Sequence, residues 1–162
     1  MRRPIHTIAF MFALACVDLR ATADEVKVGY FAVDASPPIG SPMAYDPTKG
    51  VQHPLSCRGI VLMGEGKPIV LCAVDWIGIG NRGQTEFREA LAKAAETDPS
   101  RVSVSTLHQH DAPRCDFSLD ELLAKYGIAG EASDVRFERD VIARAAAAVK
   151  VARSNARIAT HV

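Results

Sequence analysis

Residues 105–113 read STLHQHDAP, and the two histidines in that stretch are the side chains best suited to chemistry. On an extended segment, residues two apart leave the same face, so His108 and His110 would aim two imidazoles at one point. Such a pair supplies two metal ligands, or one ligand and one proton carrier near neutral pH. Gln109 would then face the other way. Asp111 is placed to orient a ring through its second nitrogen, as carboxylates beside metal-bound histidines do. The same residues also suit a plain surface pair, or a hydrogen-bonded pair where a strand gives way to a loop. Spacing alone does not separate these readings.

Tight zinc takes about four ligands, or about three protein ligands where one position stays open for catalysis. The other histidines are His6, His53 and His161. His53 lies in a long loop and could reach the pair. His161 falls on the last predicted strand and reads as structural or exposed. Neither has a partner at a recognisable metal spacing. A metallo-β-lactamase motif, His-x-His-x-Asp-His, fails because Ala112 and Pro113 occupy its last two positions. An amidohydrolase barrel also carries His-x-His at a strand end, but needs a longer chain than 162 residues.

The elements that must position the histidines follow from hydrophobic periodicity. Residues 25–33, EVKVGYFAV, alternate as a strand does. DASPPIGSPM and the AYDPTKGVQHP after it form a long, proline-stiffened loop, of a length that is usually functional in a compact domain. Two apolar runs then flank Gly64–Lys67 as a hairpin. The second run, 69–74, is apolar at every position, which predicts a central strand covered on both faces. It ends in Asp75-Trp76. Residues 83–96 have helical spacing, with Phe87, Leu91 and Ala94 or Ala95 on one side. Residues 101–107 read as a strand, 118–126 as a short helix, and 135–152 as a longer one with Val141, Ala145 and Val149 in step. A final strand follows and the chain stops within it. The order predicts an α/β fold, a mixed β-sheet flanked by helices, cut off in mid-domain. If strands 69–74 and 101–107 are parallel neighbours, their ends share one edge, and Asp75 stands near the histidines.

Net charge is zero and no basic cluster stands out, so nothing points to nucleic acid. The chain opens with Arg2 and Arg3, an apolar run over residues 7–17, and Ala21-Thr22-Ala23. That order is the signature of a secretory signal peptide, 1–23, with residues 24–162 as the exported portion. The apolar run is too short to span a bilayer, and no second one follows. A lipid anchor at Cys16 is the weaker alternative to cleavage after Ala23. Cleavage would remove three arginines and one aspartate from a neutral chain, leaving a charge of −2. Cys57, Cys72 and Cys115 would remain. Their spacing matches no zinc ribbon, they allow at most one disulfide, and Cys57 and Cys72 read as buried small apolar residues on strands.

Taken in order, DASPPIGSPM, CRGIVLM, IVLCAVDWIGI and STLHQHDAP resemble the N-terminal part of the neutral, non-lysosomal ceramidases. That family carries D-x-T-P-P-x-G-x-P-M in the first loop, a strand with Arg-Gly or Arg-Ala, a strand ending in an acid, and S-x-T-H-T-H-S-G-P after a helix. The resemblance implies a zinc-dependent amidase that hydrolyses the N-acyl bond of ceramide or a related lipid amide. It makes His108 a zinc ligand and His110 the acid/base beside the reacting group. It gives the loop around Gly40, Met43 and Ala44 the task of supporting the oxyanion. Asp75 and Asp111 would support the histidines from behind. Two departures stand out: Ser-Gly is replaced by Asp111-Ala112, and the family's glycines after Met43 are absent. In the family the remaining ligands, a His, a Glu and a Tyr, lie downstream, so a missing C-terminal half is expected. The alternatives are a non-catalytic secreted module on the same scaffold, and a different small metal-dependent hydrolase completed by His53, Asp75 or a second subunit.

Overall fold

The computed structural model describes residues 25–160. The expected leader over residues 1–23 and His161 lie outside the described residues. The chain runs through β1 (Lys27–Asp34), β2 (Ser56–Met63), β3 (Ile69–Val74), a two-residue β4 (Gly78–Ile79) and α1 (Asn81–Ala95). A short 3-10 turn leads to β5 (Val102–Thr106), then a two-residue β6 (Arg114–Cys115), α2 (Phe117–Ala124), α3 (Val135–Ser154) and β7 (Arg157–Ile158). The main sheet has the order β5-β3-β2-β1-β7. β1, β2 and β3 form an antiparallel meander, β7 adds antiparallel to β1, and β5 pairs in parallel with β3 after the α1 crossover. The mixed sheet and the parallel β3–β5 pair agree with the sequence pattern. The parallel β4–β6 pair, too short to show a period, was not legible in it.

Both long helices lie on one face of the sheet. α1 turns Phe87, Leu91 and Ala95 inward, and α3 turns Val141, Ala145, Val149 and Ala152 inward, at the spacing that stacks side chains on one helix face. Small residues let α3 come close. A Cβ added at Gly29 of β1 would stand 2.1 Å from the Ala152 carbonyl oxygen, so only glycine admits this crossing. Between the helices and the sheet lie Phe31, Val61, Val70, Val74 and Trp76, all buried.

The other face of the sheet differs from expectation. β3 is central, but it alternates rather than being buried throughout: Val70, Cys72 and Val74 are buried, while Ile69 and Leu71 are exposed. Tyr30 on β1 is 66% exposed. No described helix or strand covers this side. An all-apolar strand looks doubly covered in sequence, yet here apolar residues simply occupy both faces.

Candidate functional site

Because β3 and β5 run in parallel, the segments leaving them emerge at the same edge. The Leu107 N–H still donates to the Val74 carbonyl at 3.2 Å, carrying the ladder one residue past β5. There the extended path ends. His108 adopts φ +57°, a left-handed conformation that costs a non-glycine residue about 1–2 kcal/mol. The histidines are therefore not alternate residues of a strand, as the two-residue spacing suggested. The turn itself brings them together. Their ring centroids lie 5.1 Å apart and the planes meet at 84°.

Each ring is held through Nδ1. His108 Nδ1 lies 2.8 Å from the Ile77 carbonyl oxygen. A carbonyl only accepts, so Nδ1 carries the hydrogen, and in the neutral ring Nε2 then holds the lone pair. That is the tautomer a histidine needs to bind a metal through Nε2. His110 Nδ1 lies 2.8 Å from the Tyr45 hydroxyl, and the two rings are 5.7 Å apart. Both histidines are exposed.

Neither expected carboxylate performs this orienting task. Asp75 is buried beside Trp76, and its Oδ2 accepts from the Ser56 backbone N–H and hydroxyl, both at 2.8 Å, and from Arg58 at 3.3 Å. Its side chain thus ties β3 to β2. Its contribution to the histidine loop comes from the backbone: Gln109 Nε2 donates to the Asp75 carbonyl at 2.8 Å. Gln109 also brackets Asp111, donating to its carbonyl at 3.1 Å and accepting from its N–H at 3.0 Å. Gln109 does face away from the histidines, and it is the residue that fixes their turn.

The first loop is well anchored. Gly40, at φ +91°, takes a conformation other residues rarely adopt, and its N–H donates to Thr48 at 2.8 Å. Ser41 Oγ donates to Asp134 Oδ2 at 2.5 Å, tying the loop to the cap of α3. The Trp76 indole N–H donates to the Ala35 carbonyl at 3.0 Å. These bonds carry Tyr45 to His110. They also occupy the Ala44 N–H, which donates to the Ala112 carbonyl at 3.1 Å. That bond joins the first loop to the histidine loop. Met43 lines a cavity of about 850 Å³ with His53, Arg58, Asp75, Leu107 and Gln109. Neither His108 nor His110 lines it, so the cavity lies on the Gln109 side of the loop. Gly40 lies apart, beside Asp134.

Among the described residues, no group of three His, Cys, Asp or Glu side chains gathers to hold a metal. His53 borders the cavity without joining the pair. The donors present suit one part of a zinc site, a histidine with Nε2 free and a second imidazole beside it. The parts played by Tyr45, the Ile77 carbonyl and Gln109 were not legible in the sequence. Tyr45 is 65 positions from His110, and no local spacing links them.

One further ionisable group is unusual. Glu138, in the first turn of α3, is completely buried, and burial raises its pKa to about 7 against the pull of Ser133. Ser133 Oγ lies 2.8 and 2.9 Å from the two carboxyl oxygens and 3.0 Å from the Arg114 carbonyl. One hydroxyl has one hydrogen. A protonated Glu138 donating to Ser133, which in turn donates to Arg114, satisfies the whole set.

No family model and no curated protein sequence matches the chain. Solved structures do. Neutral ceramidase from Pseudomonas aeruginosa superposes with a TM-score of 0.57 at 16% identity, over 83% of this chain and 22% of that one. A ceramidase complexed with C2 superposes with a TM-score of 0.55 at 15% identity, over the same shares. The chain thus spans about a fifth of the length of the ceramidase chains it matches. Over that span its fold, a five-stranded mixed sheet with helices, is ceramidase-like.

Proposed function

We propose that this chain is the N-terminal portion of an exported, zinc-dependent amidase acting on ceramide or a related lipid amide. The observation that carries the reading is the His108 ring, with Nδ1 committed to the Ile77 carbonyl and Nε2 left as a free donor pair beside His110. His108 would hold the zinc and His110, steadied by Tyr45, would move a proton at the reacting group. When bound, zinc lowers the pKa of its water and polarises an amide carbonyl. The remaining ligands would come from polypeptide beyond the described residues. The leader over residues 1–23 supports export, and among the described residues no helix is long and apolar enough to cross a membrane.

The test is zinc titration by calorimetry, with amidase assay on a fluorogenic ceramide. His108→Ala should weaken zinc binding at least about tenfold and abolish whatever amidase activity the protein shows. Unchanged binding and full activity in that variant would sink the reading. A second reading, a non-catalytic module on the same scaffold, is favoured by one observation: the Ala44 N–H is already bonded to Ala112 and serves no oxyanion. Zinc binding without amidase activity, in a protein carrying every ligand, would select it.

A further inference from the structure

Cys57 on β2 and Cys72 on β3 both point into the core, and their sulfurs are 3.5 Å apart. In the antiparallel register Cys57 faces Val74 and Cys72 faces Gly59, so the two cysteines form a diagonal pair on the helix-covered side. Cys115, the third thiol of the described chain, is buried among other partners, against Gly83 and beside Glu138. We propose that Cys57 and Cys72 form a disulfide site, closed by a two-electron oxidant of the disulfide class, with Cys115 left as a free thiol.

The two sulfurs already stand close. A disulfide has sulfurs about 2.0 Å apart, so closure needs a shift of about 1.5 Å shared by two side chains on adjacent, hydrogen-bonded strands. The balance is simple. Two thiols give up two protons and two electrons and form one S–S bond, while the oxidant's disulfide is reduced to two thiols. Timing follows from burial. The attacking species is a thiolate, and the bond from Cys57 together with burial holds the Cys72 thiol far above its ordinary pKa in the folded chain. Neither sulfur is open to a large oxidant once α1 and α3 cover the sheet. The bond therefore forms while the hairpin is still uncovered, during folding.

The experiment uses the full chain, denatured, reduced and then refolded with oxidised glutathione. Alkylation under denaturing conditions followed by peptide mapping should give one linked peptide pair, Cys57 with Cys72, a mass lower by about 2 Da, and alkylated Cys16 and Cys115. Cys115→Ser should keep the linkage and Cys57→Ser should lose it. Glutathione added to the folded, reduced protein should oxidise it at least about tenfold more slowly than during refolding. The oxidised form should melt about 10 °C above the reduced form, since the bond closes a loop of about 15 residues in the unfolded chain. Four alkylatable thiols after oxidative refolding, or linkage of Cys16 or Cys115 as often as Cys57, would overturn the proposal.

Discussion

At the scale of single residues, the site depends on which nitrogen of each histidine carries hydrogen. For His108 the answer is forced, because the Ile77 carbonyl at 2.8 Å can only accept. For His110 the Tyr45 hydroxyl can donate or accept, so the tyrosine permits either tautomer while fixing the ring's place. Nitrogen NMR of histidine-labelled protein separates the two cases. His108 should show a single Nδ1–H tautomer, and Tyr45→Phe should leave it unchanged while shifting the His110 Nδ1 resonance, which loses its hydrogen-bond partner. A His110 signal indifferent to that substitution would remove Tyr45 from the site. The pairing of the histidines was legible in the sequence; its mechanism was not. Alternation along a strand predicts same-side rings, but the rings meet because His108 turns left-handed. Asp75 and Asp111 were read as orienting groups because they stand next to the right segments. Proximity in sequence does not reveal that Ser56 and Arg58 take the Asp75 carboxylate, or that Gln109 takes the Asp111 backbone.

At the scale of elements, helices and strands with a strong period were readable and the joints between them were not. α1 and α3 follow from their apolar spacing, and the β2–β3 hairpin from glycines between two apolar runs. The joints rest on single polar contacts that no period records: Asp134 capping α3 while holding Ser41, and Asp116 capping α2 while holding Asn81 at 2.6 Å. Glu138 is a buried, ionisable joint. An acid whose folded pKa, about 7, stands above its unfolded value near 4.5 binds more protons folded than unfolded between those limits. Its contribution to stability is greatest at acid pH, falls as pH rises from about 4.5 to about 7, and stays low above that. The gap is worth at most about 3 kcal/mol. Glu138→Gln, whose amide N–H can donate to Ser133 in place of the acid's O–H, should stabilise the protein at pH 8 and have little effect at pH 4. Denaturant melts at both values measure this, and an equal effect at the two would place the acid's ionisation elsewhere.

At the scale of the molecule, one face of the sheet has its core and the other lacks one. α1 and α3 cover the buried side, while Tyr30, Ile69 and Leu71 stand exposed on the opposite side among the described residues. Ile60, half-buried, lies between Tyr30 and Leu71, and half-buried Ala73 lines the same shallow groove. A sheet hydrophobic on both faces gains stability when both are removed from water, and a contiguous apolar face in water attracts another like it. Among the described residues β5 pairs only with β3, and β7 only with β1, so both strand edges offer backbone groups for further pairing. In solution, at concentrations used for structural work, chains of this length should therefore associate through the open face. Leu71→Lys puts a charge at the centre of that face without touching the side that carries Val70 and Cys72. It should weaken self-association by about tenfold or more, roughly 1.4 kcal/mol, in sedimentation equilibrium, while the melting temperature stays close to that of the parent. A parent chain that sediments as a monomer at every concentration would show that the face is stable in water by itself. A variant that associates as strongly as the parent would move the contact to the sheet edges.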